Sequence, residues 1–333
     1  MLVDKNERIQ SLDFLRGIAA CAVMLFHYTA RTSIFLSDGN PLRIAGSYGH
    51  FGVEIFFVLS GFVIPYSMYA SSYKISLLGK FLLKRSIRIE IPYLVVIVLE
   101  VALIYISSLT PWKSGVSERL EMNNILLHAG YLNGILEKPW LIPVFWTLAI
   151  EFQFYLLIAI LFPLFTRPSV LTRISIVAGI ATLSFICPQP YLFFSHALFF
   201  LIGIVAFMRA CKIIPFREFI LLSAGILLLL FLQQGPVYFF IVVLTTIVIL
   251  FLKPDWKWAS FLGMISYSVY LIHVPFGGRL LMLTQMFVHN EWIKSLLIVG
   301  FLASTVLAAW LFYLFIEKPS VILSKRITYK KTR

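Results

Sequence analysis

The sequence predicts an all-α, polytopic integral membrane protein of about ten transmembrane helices, with both termini in the cytoplasm. Three observations predict it. Of 333 residues, 60% are hydrophobic and 13% are charged, with a mean hydropathy of +0.92. A soluble domain carries about 25% charged residues, and a disordered chain is far less apolar. Apolar runs of about 20 residues recur along the whole chain, the length that crosses a hydrocarbon core of about 30 Å. The basic residues gather on alternate sides of those runs.

The first run, near 12–30, contains Asp13, Arg16 and His27 and has no clear small-residue cleavage site, so it is expected to remain as a span and not to be removed as a signal peptide. The second, near 49–70, carries Glu54 and the pair Ser60-Gly61, which reads as a close helix contact. The third, near 89–109, follows the basic stretch KRSIRIEIPY with Arg85 and Arg88 one turn apart. The fourth, near 141–165, contains Trp146 and Glu151, with Thr147 and Tyr155 on the face of Glu151. Further spans are expected near 171–187, 191–208, 217–233 and 236–252. The ninth, near 259–284, places Ser266, Tyr270 and His273 at i, i+4 and i+7, a polar stripe on an apolar helix. The tenth, near 295–316, ends in Glu317-Lys318-Pro319, expected as an interfacial ion pair. The segment 122–136 is too short to span and is interrupted by Asn123, Asn124, His128 and Gly130, so an interfacial or re-entrant piece is expected there.

Charge counting sets the orientation. With the N-terminus inside and the sides alternating, 20 of the 28 Lys and Arg residues fall in cytoplasmic segments and 6 in outer ones; Arg16 and Arg279 lie within spans. That bias requires N-in and C-in. The longest polar connections, about 31–48 and 110–140, both lie outside, and neither has room for a soluble domain. The chain is therefore read as a single membrane domain over 1–333, with a core of about 8–319 and a basic cytoplasmic tail over 320–333, and no fused soluble domain. The tail reads first as a stop signal.

The net charge of +13 does not indicate nucleic acid, because it is scattered between apolar runs and forms no basic domain. The three cysteines, Cys21, Cys187 and Cys211, show no CxxC and no metal-ligand spacing, so neither a disulfide nor a metal site is expected. GxxxxGK[ST], HExxH and GxSxG are absent. Any chemistry must come from the intramembrane polar groups, and a charge at mid-membrane needs a reason, since it costs at least about 2.5–3.5 kcal/mol.

Arg16 and His27 are the first such groups. Their spacing places both on one face of a helix, about 16 Å apart along its axis. Alone, Arg16 reads equally as a residue snorkelling to the inner interface, and His27 as an interfacial polar residue. Their common face favours a functional pair. Arg85 and Arg88 are either positive-inside anchors or a bidentate clamp for phosphates. His273 reads evenly as a bonded interior histidine or a functional one.

The segments RIQSLDFLRGIAACAVMLFHY, FGVEIFFVLSGFVI, FWTLAIEFQFYL and SYSVYLIHVPF occur in the order of the motifs of membrane acyltransferase family 3, which the chain resembles from Arg8 to Pro319. The resemblance implies transfer of an acyl group, usually acetyl, from cytoplasmic acyl-coenzyme A to a sugar hydroxyl of a lipid-linked or surface glycan. It implies an essential role for Arg16 and His27, donor binding by Arg85 and Arg88, and a role for Glu151 in its tryptophan-containing motif. Asp13, Glu54, Ser60, Trp146, Tyr270 and His273 are expected as supporting polar groups. The expected partners are acyl-coenzyme A as co-substrate, a lipid-linked acceptor of O-antigen or exopolysaccharide type, and the bilayer of a bacterial inner membrane.

The chemistry agrees with that resemblance. A thioester is already activated, so the protein must supply a base for the hydroxyl and stabilise the developing oxyanion. Histidine titrates near neutrality, and His27, at the outer end of its span, is the expected base. The alternative is a transporter of acylated glycans, which lacks the internal repeat many transporters show.

Overall fold

A computed structural model of the chain describes residues 10–31, 35–109, 118–252 and 256–329, and every regular element among them is helical. Among the described residues, eight segments are long and apolar enough to cross a membrane: Gln10–Arg31, Pro41–Ala70, Ile75–Ser108, Phe145–Phe165, Phe193–Ala210, Phe216–Gln234, Lys257–Thr284 and Glu291–Lys325. Two shorter apolar helices, Val170–Ile186 and Pro236–Phe251, occupy the expected fifth and eighth positions. The all-α, multi-pass membrane architecture read from the sequence is the one observed.

In chain order the first helices are α1 (Gln10–Phe26), α2 (Pro41–Ser47), α3 (Gly52–Ala70), α4 (Leu78–Ser108), α5 (Met122–Ala129) and α6 (Phe145–Phe165). They are followed by α7 (Val170–Ile186), α8 (Ala197–Ala210), α9 (Phe216–Gln234), α10 (Pro236–Phe251), α11 (Lys257–Ile272), α12 (Arg279–Thr284), α13 (Glu291–Phe312) and α14 (Lys318–Lys325). Their directions follow from paired contacts. Ser60 bonds Glu151 and Tyr73 packs on Phe162, so α6 runs parallel to α3. Phe57 stacks on Phe200 and Tyr69 meets Phe207 edge to face, so α8 runs parallel to α3 as well. The intervening α7 therefore carries the chain back between two helices of the same sense.

Two glycine contacts set how closely the helices cross. A Cβ on Gly61 would stand 2.2 Å from the Phe200 carbonyl oxygen, and one on Gly203 would stand 2.2 Å from that of Val58. Of the Ser60-Gly61 pair, Gly61 is thus the close α3–α8 contact that its size indicates, while Ser60 bonds to Glu151 on α6. On α11, a Cβ on Gly263 would meet the Asp13 carbonyl oxygen at 2.3 Å, which draws α11 against α1 beside Arg16.

Two pairs of charges away from the cavity form bidentate bridges. Arg173 on α7 forms a bidentate bridge to Glu218 on α9, at 2.6 and 2.7 Å. Arg279 on α12 does the same with Glu100 on α4, at 2.8 and 2.9 Å. Bidentate geometry uses the guanidinium fork fully, which removing both charges from water requires.

The stretch 122–136 resolves into an eight-residue helix, α5, and a run of turns. It is held by fully buried His128, whose Nδ1–H donates to the Asn124 carbonyl (2.8 Å) and whose Nε2 accepts the Leu141 N–H (3.0 Å). Tyr93 Oη on α4 donates to the His128 carbonyl at 3.2 Å, which ties this segment to the bundle.

Candidate active site

A cavity with an empty volume of about 950 Å³ opens between α1, α3, α4, α6, α11 and the turn after α13. Its polar lining is Arg16, Ser60, Arg85, Arg88, Thr147, Glu151, Tyr155, Ser266, Tyr267, Tyr270 and Glu317. Its walls are apolar, from Phe56, Phe57, Leu59, Val63 and their neighbours.

α4 begins eleven residues before the expected span, at Leu78. Arg85 and Arg88 therefore stand within a continuous helix and reach the cavity. Arg85 is held in place: its Nη2 donates to Ser67 Oγ at 2.7 Å, and its guanidinium lies 5.6 Å from the Phe81 ring centre and 5.7 Å from that of Tyr155. Arg16 and Arg88 differ. Neither guanidinium makes a hydrogen bond or close ion pair with the described residues. Their charged neighbours include one another and Glu317, with Asp13 and Glu151 further contributors to the field at Arg16.

The carboxylates are fixed by hydroxyls. Glu151 Oε1 accepts from Ser60 Oγ (2.8 Å) and Tyr155 Oη (2.6 Å). Glu317 is buried and accepts from Ser268 Oγ at 2.5 Å. It is not the interfacial partner of Lys318 that its sequence neighbour suggests. Tyr267 Oη donates to the Ile89 carbonyl (2.7 Å), bracing α11 against α4 one residue from Arg88.

Phe56, Thr147 and Tyr270 form one layer of the cavity lining, with the Phe56 and Tyr270 rings 5.8 Å apart. Tyr270 Oη lies 2.5 Å from Thr147 Oγ1 and donates to the Val144 carbonyl at 3.1 Å. Beyond this layer stand His273, its ring 5.7 Å from that of Tyr270, and His27, its ring 5.0 Å from that of His273. His27 Nδ1 donates to the Val23 carbonyl at 2.9 Å. A carbonyl only accepts, so in the neutral ring Nε2 carries the lone pair.

Three π turns interrupt the helices at this site: His27–Arg31 after α1, His273–Gly278 after α11, and Tyr313–Glu317 after α13. Each begins or ends on a polar residue of the site, His27, His273 and Glu317. Such turns are rare and concentrate at functional positions.

Of the residues singled out from sequence, Arg16, Ser60, Arg85, Arg88, Glu151 and Tyr270 line one cavity. His27 and His273 form a pair beyond it. Asp13 is buried one turn before Arg16. Trp146 packs on His196 and Phe57, at ring separations of 5.3 and 6.3 Å, and stands outside the lining. Glu54 also stands outside it, with a buried Oε2 that has no hydrogen-bond partner. Sequence reasoning assigned no role to Tyr267 and misplaced Glu317. The signal for Glu317 was available, since it is the lone carboxylate closing a long apolar run. Among the described residues no group of three His, Cys, Asp or Glu is placed to hold a metal.

The family model for an acyltransferase domain, that of acyltransferase family 3, matches residues 9–314. Comparison with curated proteins and with solved structures finds no match.

Proposed function

Because this chain belongs to acyltransferase family 3 and is a membrane acyltransferase, we propose that it moves an acetyl group from acetyl-coenzyme A, bound from the cytoplasm, to a hydroxyl of a lipid-linked or surface glycan outside. The observation that carries this reading is the pair Arg16 and Arg88, two guanidiniums lining a cavity with their donors unused by the described residues. A site built this way suits an anion with several acceptor oxygens, and coenzyme A carries three phosphates. Arginine matches phosphate in bidentate fashion.

In this reading Arg85 and Arg88 bind the nucleotide phosphates at the cytoplasmic mouth. The pantetheine arm passes Arg16, whose charge polarises the thioester. His27 Nε2 takes the proton of the acceptor hydroxyl. The oxygen then bonds to the thioester carbon, the C–S bond breaks, and its electron pair leaves on the coenzyme A sulfur as a thiolate. Glu151 and Glu317 keep the arginines from carrying the full positive charge of an otherwise apolar cavity. The layer of Phe56, Thr147 and Tyr270 separates donor from acceptor and must part for transfer. The orientation is N-in and C-in in the inner membrane of a bacterium, supported by the 20-to-6 distribution of basic residues. The acceptor is of O-antigen or exopolysaccharide type.

Mass spectrometry of surface glycan with and without the gene tests the reading. Loss of an acetyl group on deletion, restored by the intact gene, is the expected result; an unchanged glycan overturns it. Release of free coenzyme A thiol by purified protein in detergent, where no gradient exists, separates the enzyme from a transporter.

A further inference from the structure

The mechanism above uses one histidine, yet the structure holds two in ring contact. His273 is completely buried. Its Nδ1–H is directed at the carbonyls of Tyr270 (2.8 Å) and Val269 (3.1 Å). Its other nitrogen, Nε2, then carries the lone pair, and this atom is buried with no hydrogen-bond partner. Buried polar atoms are nearly always bonded, and an exception needs an explanation. The ring cannot turn away to find a partner without breaking its backbone bonds. The surrounding main chain is also pinned: Tyr28 Oη donates to the His273 carbonyl at 2.9 Å and lies 2.7 Å from Thr305 Oγ1 on α13. Three helices thus hold one basic nitrogen, unused, beside His27. The ring centroids are 5.0 Å apart with planes inclined at 68°.

The geometry points to His273 as the proton-accepting partner of His27. This rests on the acyl-transfer reading above. When the acceptor O–H breaks, its proton goes to His27 Nε2. It then passes through one bridging water to His273 Nε2, and the lone pair of His27 is restored. Charge is conserved: the oxygen that lost the proton has bonded to the acyl carbon, and the negative charge has left on the coenzyme A sulfur. The π turns at both histidines serve this pairing, since each interrupts the regular helix where its ring must be presented to the other. His273 is a positioning and proton-holding residue and touches no reacting carbon.

His273→Asn tests the assignment, because the amide N–H of asparagine still reaches the carbonyls that Nδ1 serves while the Nε2 base is lost. Transfer is measured in membranes of the source strain lacking its own copy and complemented with the full chain, using radiolabelled acetyl-coenzyme A and the native glycan as acceptor. The expected result is a fall in kcat of about tenfold or more with KM for acetyl-coenzyme A unchanged. In mixtures of light and heavy water, the rate should change from a bowed dependence on deuterium content, with two protons in flight, to a linear one. Coenzyme A binding to the purified variant reports its folding. If His273→Asn does not accumulate, His273→Gln is read by the same two measures. A wild-type kcat and an unchanged proton dependence overturn the assignment and leave the acyl-transfer reading standing. An inactive wild-type chain overturns both.

Discussion

Replacing Arg88 by methionine removes a guanidinium from the cavity and keeps an unbranched side chain in its place. The structure sets the size of the effect. Arg85 is already bonded to Ser67 and sandwiched near Phe81 and Tyr155, whereas the donors of Arg88 are unused by the described residues. A hydrogen bond to a charged group contributes about 1.5–3 kcal/mol. At about 1.4 kcal/mol per tenfold, losing one such bond weakens coenzyme A binding roughly 10- to 100-fold, and losing a bidentate pair weakens it more than 100-fold. Stability moves the other way. Arg88 has Arg85 and Arg16 as like-charged neighbours, so the variant without ligand should melt at or above the wild-type temperature. Arg88→Lys should restore part of the affinity, since an ammonium keeps the charge and loses the fork. Calorimetric titration of coenzyme A into purified protein in nanodiscs gives the dissociation constant, and thermal melting with and without ligand gives the second sign. A dissociation constant within twofold of wild type, together with a lower ligand-free melting temperature, would refute donor binding and return Arg88 to a structural role.

The other predictions concern the base, the packing, the segment held by His128 and the topology. His27→Gln keeps a hydrogen-bonding group but cannot take up a proton, so glycan acetylation at equal protein level should fall by about 10²–10⁴; near wild-type acetylation would make His27 a structural residue. Gly61→Ala places a methyl 2.2 Å from the Phe200 carbonyl oxygen, and parting α3 from α8 should cost about 1–3 kcal/mol, read as a lower melting temperature. Burial pushes His128 below the usual imidazole value of 6.5, so the unfolded chain takes up this proton first. Its contribution to stability is whole above pH 6.5 and is lost as pH falls from there towards the lower folded value. His128→Asn should flatten that acid loss in a melting series. A C-terminal alkaline phosphatase fusion should be inactive and a fluorescent one bright; the reverse would place His27 on the donor side.

The apolar helices were legible in the sequence because hydrocarbon demands long apolar runs: of the ten runs, eight coincide with described segments long enough to span and two with shorter apolar helices. Arg85 and Arg88 were legible for a related reason: their spacing of three already puts both on one side of a helix, and α4 simply extends the helix back past them. Glu151 stood out as a lone carboxylate in apolar surroundings, whereas Ser60, read with Gly61 as a close helix contact, turns out to bond it at 2.8 Å. What sequence periodicity could not supply was phase beyond a helix break. The tenth span, read at 3.6 residues per turn, leaves Glu317 beside Lys318 at the interface. The π turn over Tyr313–Glu317 widens the last turn by one residue and carries the carboxylate inward to Ser268. The stripe Ser266, Tyr270 and His273 was visible at helical spacing, but Tyr267 lies off it and still lines the cavity, because the cavity is wide enough to meet two sides of α11.

The same breaks explain why the site falls into two parts. Arg16 and His27 share a face of one helix, yet one helix cannot bring both to a single atom when they lie about 16 Å apart along its axis. The protein resolves this by giving each its own partner on α11 or beyond: Arg16 shares the cavity with Glu317, and His27 meets His273. Tyr270 sits between the two levels on α11, one turn before His273 and in the wall of the cavity. Its hydroxyl is bonded to Thr147 and to the Val144 carbonyl, both at the start of α6, so the ring that stands between the arginines and the histidines is held by one side chain and one carbonyl. In the proposed reading the levels join when Tyr270 parts from Phe56 and Thr147, the other members of its layer, with no helix displaced. A side chain rotates far more cheaply and quickly than a packed helix shifts. An acyl group delivered past Arg16 would then face the histidine pair through the parted layer.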